Sequence, residues 1–137
     1  MISLDATLEG VEPALARLNQ FGTDVLGVIE PPLLRMGYRV ENQMKEYPPQ
    51  RPTDYVRTYK YGQAWFTDPV IRSGDQVRLN QGNKMDYGPF VGSEERQAWM
   101  HRGHWPTDEE VLNEELPRGV EEFRGAILSA ADALGRT

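Results

Sequence analysis

His101 and His104 are the only histidines in the chain, and their i, i+3 spacing can present two imidazoles to one metal ion, with Glu94 or Glu95 as a nearby carboxylate. The pattern lacks its second half. No third ligand stands at a motif spacing, and Gly103, Trp105 and Pro106 set the pair in an irregular turn, where the rings need not share a face. The sequence has no cysteine, which excludes thiolate metal sites, thiol nucleophiles and disulfides. It also has no Gly-x-Ser-x-Gly elbow, phosphate-binding glycine loop or His-Glu-x-x-His helix. Carboxylates come in pairs at Glu109-Glu110, Glu114-Glu115 and Glu121-Glu122. Acid–base catalysis needs two carboxylates whose surroundings split their pKa values, and these pairs are expected on solvated helix faces. Trp65, Tyr87, Phe90, Trp99 and Trp105 are candidates to line a ligand pocket or to pack as core and subunit contacts. No catalytic residue, cofactor or metal is assigned.

The stretch from Tyr47 to Trp65, YPPQRPTDYVRTYKYGQAW, changes character from both neighbours. Helical periodicity stops at its start and strand-like alternation begins at its end. Pro48, Pro49 and Pro52 fix their own φ and push the residues before them towards extended chain, so 46–53 is expected to run as a polyproline-like connection. A loop stiffened in this way loses little freedom on docking. Arg and Tyr are the side chains that most often dominate interfaces. Arg51, Tyr55, Arg57, Tyr59 and Trp65 are therefore the candidate interaction residues, with Glu109-Glu110 and Glu114-Glu115 of an adjacent copy as acidic partners. The competing reading has Arg57 pinning its own loop through Asp54 or Glu46.

The elements around this loop follow from periodicity. Val11, Ala14, Leu15, Leu18 and Phe21 predict a helix over 10–21 that ends at Gly22, and Thr23 or Asp24 caps the next one. Leu26, Ile29, Leu33, Met36, Val40 and Met44 share a helical face. Pro31 and Pro32 are expected to open the main helix, with Tyr38 and Arg39 on its outer side. Residues 65–73 and 76–80 read as a hairpin about Gly74-Asp75, with Arg72 opposite Val77 and Val70 opposite Leu79. Gln81-Gly82-Asn83 reads as a second turn, Tyr87–Val91 as a short strand or a loop, and Ser93 as the cap of a short helix. Thr107 with Glu110 is a capping-box signature, and Pro117 is expected to start a final helix whose Val120, Phe123, Ile127, Ala130, Ala131 and Leu134 form an apolar stripe. The expected fold is one α+β domain over 1–137, a small antiparallel sheet packed against a long helix of the N-terminal half and a C-terminal helix.

A length of 137 residues with 39% hydrophobic content suits one domain. The net charge of -6 disfavours a general nucleic-acid binder, which would need clustered Lys and Arg. No apolar run reaches the length of a signal peptide or membrane span, so a soluble, cytoplasmically made protein with no membrane partner is expected.

Tyr47-Pro48-Pro49, then Tyr55-Val56-Arg57-Thr58 and Trp65, resembles the segment that joins helix to sheet in neck proteins of tailed bacteriophages. This is the head–tail joining or tail-completion family, whose members are often labelled minor tail proteins. Met85-Asp86-Tyr87-Gly88-Pro89-Phe90-Val91-Gly92, Glu95-Arg96-Gln97 and His101-Arg102-Gly103-His104-Trp105 resemble the family's downstream part, and the order of segments covers nearly the whole chain. The chain departs from the family at Tyr59-Lys60-Tyr61-Gly62, where a small glycine-leucine turn is expected. The resemblance implies a non-enzymatic virion component, made in the host cytoplasm and present in the neck or tail. It implies a ring homo-oligomer that meets the connector on one side and tail proteins on the other. The alternative is a small-ligand-binding or metal-dependent enzyme domain using His101, His104 and the aromatics.

Overall fold

In a computed structural model that describes residues 10–50 and 59–136, α1 (Glu12–Gln20) places Pro13 in its first turn, where a missing N–H is harmless. Gly22, at φ 68°, ends it. The Asp24 carboxylate then accepts from the Gly27 N–H at 3.2 Å and caps α2 (Val25–Met44).

Two expectations about proline fail. α2 runs without interruption through Pro31 and Pro32, and α5 (Asp108–Ala133) runs through Pro117. A proline inside a helix costs roughly 3 kcal/mol. Here the helices are also held from outside. Pro32 is among the most deeply buried side chains, and α2 and α5 form the most extensive pairing of elements in the fold. The helices approach closely where Gly119 of α5 leaves room for the Met36 side chain of α2, whose sulfur lies in the space a Cβ would take.

The core has two parts. Val11, Ala14 and Leu18 of α1 pack with Ile127 and Ala131 of α5. Val40 and Met44 of α2 pack with Val111 of α5, joined by half-buried Trp65 and Leu112. Arg39, expected on the outer side, lies inward on α2. Its Nε meets Glu115 at 2.7 Å and its Nη1 meets Glu122 at 2.9 Å, while Gln43 also donates to Glu115. Helical spacing alone placed Arg39 on a polar face, but α5 lies against that face.

The strands form one interrupted hairpin rather than a continuous sheet. β1 (Trp65–Thr67) pairs antiparallel with β4 (Gln81–Asn83), and β2 (Ile71–Ser73) pairs with β3 (Gln76–Arg78). The expected Arg72–Val77 pair is present. The two ladders differ in register by one residue, Asp68 N–H still bonding Asn80 in the first register before Pro69 breaks the run. Proline has no N–H for the next rung, so the first strand takes one residue more than its partner. Gln81-Gly82-Asn83 is therefore a strand and not a turn. Its glycine faces Phe66, whose ring atoms lie 3.1 Å from where a Cβ would stand. The fold class is α+β, as expected, with the ribbons lying beside α2.

Two further expectations change. Tyr87–Val91 yields a short helix, α4 (Gly88–Gly92), started by Pro89. The segment after Ser93 makes a turn, with the Ser93 carbonyl accepting from Arg96 and Gln97, and no helix forms there. The capping box at Thr107 is present in both directions, its hydroxyl accepting from the Glu110 N–H and the Glu110 carboxylate accepting from the Thr107 N–H.

Candidate functional site

Tyr61 is the centre of an aromatic cluster that gathers segments far apart in sequence. It lies in α3 (Lys60–Gln63) and is 5% exposed. Its ring centroid is 5.4 Å from that of Trp105, 6.0 Å from Trp65 and 6.4 Å from Tyr47, all edge-on. Tyr47 also meets Trp105 at 5.1 Å and Tyr59 at 5.0 Å. Edge-to-face pairs at these separations are favoured because the positive edge of one ring faces the negative face of the next.

Backbone contacts lock the cluster. The Tyr47 hydroxyl accepts from the Gly62 N–H at 2.8 Å, and Gly62 lets the Tyr47 ring approach where a Cβ would stand 2.8 Å from it. Asn83 of β4 donates to the Tyr61 carbonyl at 2.8 Å and accepts from the Met85 N–H. Gln97 donates to the carbonyls of Val91 at 2.7 Å and Trp105 at 3.0 Å, tying α4 to the segment before α5. Thr107 donates its hydroxyl to Glu94 at 2.6 Å, fixing the 93–97 turn to the start of α5. Tyr59 holds a left-handed backbone at φ 64°, a conformation that L residues other than Gly, Asn and Asp rarely adopt. It is maintained at the edge of the cluster.

Burial pushes the Tyr61 phenol pKa above its usual value, and the neighbouring Trp65 indole offsets part of that rise. Neither the Tyr61 hydroxyl nor the Trp65 Nε1 has a hydrogen bond of ordinary geometry among the described residues. The hydroxyl lies against Gly92 of α4.

His101 and His104 both set their rings edge-on to Trp105, at 6.3 and 6.5 Å. Among the described residues no group of three His, Asp or Glu side chains is placed to hold a metal ion. His104 does line an open cleft of about 260 Å³ with Glu46, Glu110 and Glu114, bordered by Tyr47, Pro48 and Pro106.

The structure divides the sequence-derived candidates. Tyr59 is 55% exposed, at the rim of the cluster, and Trp65 is half-buried at its base. Arg51, Tyr55 and Arg57 lie outside the described residues. Of the acidic candidates Glu109, Glu110 and Glu114 are exposed, whereas Glu115 is occupied by Arg39 and Gln43 and so is not an outward partner. Of the two readings of the five aromatics, a shared ligand pocket or core and subunit contacts, the arrangement does not give the shared pocket. Trp65 and Trp105 join Tyr61, while Tyr87, Phe90 and Trp99 face solvent at 43%, 47% and 79% exposure. Sequence reasoning missed Tyr61 as the centre. The available signal was its position between two tyrosine-bearing segments, at the place where the chain departs from the resembled family.

No family model, curated protein or solved structure matches this chain.

Proposed function

We propose that this protein is a structural virion component of a tailed bacteriophage. It acts as a ring-forming subunit at the head–tail junction, in the neck or tail-completion position between connector and tail proteins. One observation carries the reading: several of the described segments that hold the resemblance meet at one place. Tyr47-Pro48, Trp65, the Gly88–Gly92 helix, Gln97 and the His101–Trp105 run are dispersed over nearly sixty positions, yet all touch the Tyr61 cluster or are hydrogen-bonded to its members.

The cluster also explains how such a subunit holds the Pro-rich segment in place. Tyr47 anchors its start in the ring stack, and Tyr59 anchors its end. Arg51, Tyr55 and Arg57 fall between these two residues in the sequence. The enzyme alternative rests on His101 and His104, whose rings both serve as edges on Trp105.

An antibody raised against the chain tests the location. It should decorate purified phage particles at the junction of head and tail. Particles that contain none of the protein would contradict the proposal.

A further inference from the structure

The two ends of the interrupted hairpin are held to the rest of the fold in different ways. β1 and β4 are fixed from inside. Trp65 packs with Val40, Met44 and Val111, and Gln81 donates to the Gly37 carbonyl at 2.5 Å and to the Thr67 hydroxyl at 2.8 Å. Among the described residues, β2 and β3 add no side chain to either core cluster. All three residues of β2 are exposed, Ile71 among them at 48%, and in β3 only Val77 is half-buried. A two-stranded ribbon of this kind is marginal in water unless it lies on another surface.

That surface is α2, and the ribbon reaches it at two places. At the junction of the two ladders Leu79 packs on Gly37, with its Cδ2 in the space a Cβ would take. Beyond the junction Arg72 carries the contact. Its Nη1 donates to the Asp24 carboxylate at 2.7 Å and its Nε to the Glu30 carboxylate. Gly27 makes room for the guanidinium, since a Cβ there would stand 3.0 Å from it and 2.7 Å from the Asp24 carboxylate. Among the described residues no ion pair joins Asp75 or Arg78, the other charges of the tip, to α2.

The junction is built to bend. The ladders change register by one residue at Pro69, and an extra residue on one strand bends it and weakens the pairing there. Pro69 has no N–H to carry the ladder across. The contact at the far end is a weak one: the Arg72 side chain is 42% exposed and that of Asp24 is 60% exposed, and ion pairs in water are screened by salt and contribute little. A single weak contact on the far side of a bend is readily released.

We propose that residues 70–78 form a hinged arm that pivots at Pro69 and Leu79 and is latched on α2 by Arg72. Dissolved ions that screen Arg72 from Asp24 and Glu30 release the latch, and the arm then swings away from the start of α2 with its two strands still paired. This device does not depend on the function proposed above.

Distances between nitroxide labels on the full chain test it. The chain has no cysteine, so Asp75→Cys at the tip of the arm and Gln20→Cys at the end of α1, both at exposed positions, give one labelled pair. At low ionic strength pulsed dipolar spectroscopy should show one narrow distance. A second, longer distance should appear at about 1 M salt, where the screening length is about 3 Å, and also in the Arg72→Gln background. A single unchanged distance under either condition overturns the proposal; if circular dichroism shows that Arg72→Gln does not fold, the salt series decides. A second pair of labels, at Ile71→Cys and Arg78→Cys, sits directly opposite across the ribbon and should keep its dipolar broadening when the arm is released. Loss of that broadening would mean that the ribbon melts instead of pivoting, which overturns the proposal as well.

Discussion

The Tyr61 hydroxyl of α3 occupies the space where Gly92 of α4 would carry a Cβ, so the centre of the aromatic cluster and the downstream glycine fit each other. Met44 and Trp65 crowd the same point, at 3.0 and 3.4 Å from that position. Gly92→Ala should therefore destabilise the fold by about 1 to 3 kcal/mol, as overpacking of a tight site does. Tyr61→Phe removes the obstructing oxygen. In denaturant titrations the double variant should recover at least ~0.5 kcal/mol relative to the sum of the singles. Strictly additive effects would mean that the two residues do not share that space.

The raised Tyr61 phenol pKa gives a second test. The neutral phenol is the form that fits the buried site, so its contribution to stability is complete below the unfolded value of about 10 and disappears as pH climbs towards the folded value. Wild-type stability should fall above pH ~10 more steeply than that of Tyr61→Phe. The difference between the ultraviolet titrations of wild type and Tyr61→Phe should show Tyr61 ionising only as the protein unfolds. Ionisation of Tyr61 near the ordinary phenol value in the folded protein would contradict the burial.

Arg39 joins the two long helices through Glu115 and Glu122. Desolvation works against its charge, but the two carboxylates outweigh it and raise its pKa; desolvation likewise opposes the Glu122 charge, and Arg35 and Arg39 outweigh it and lower that pKa. Arg39→Met leaves both carboxylates short of a partner and should cost about 2 to 3 kcal/mol near neutral pH. The wild-type contribution from Glu122 is present above pH ~4.3 and is lost as pH falls through its depressed folded value, so the variant, in which Arg35 and Arg118 still face Glu122, should lose part of its pH dependence in that acid range. An unchanged acid unfolding curve would show that the bridge contributes nothing.

Thr107 caps α5 and also holds Glu94, so one hydroxyl serves two elements. Thr107→Val should lower stability by about 1 to 2 kcal/mol, and Thr107→Ser should restore most of it. Hydrogen exchange at residues 94–98 should quicken in the valine variant. If it does not, the Glu94 contact is not what holds that turn.

These cases separate what the sequence makes legible from what it does not. The Asp24 cap, the Gly22 stop, the Thr107 capping box and the Arg72–Val77 pair are readable because each depends on residues within a few positions of one another. Pro31, Pro32 and Pro117 mislead because local propensity marks a helix start, while the α2–α5 contact keeps each helix running through them. Gln81-Gly82-Asn83 misleads for a similar reason: its turn-like composition provides room for Phe66, which only the paired strand reveals. Arg39 reads as outward until α5 is set against its face. At the candidate site Tyr59 and Trp65 were named from residue type, yet Tyr59 meets the cluster through Tyr47, and the residue that joins Trp65 to Tyr47 and Trp105 is Tyr61, whose importance depends on separate segments meeting.

The most direct test of the central claim is the mass and shape of the assembled protein. Purified chain should form, with rising concentration, a species of one discrete mass in sedimentation equilibrium, and electron microscopy of that species should show closed rings around a central channel. A protein that remains monomeric throughout, or that yields only irregular aggregates, would contradict the account.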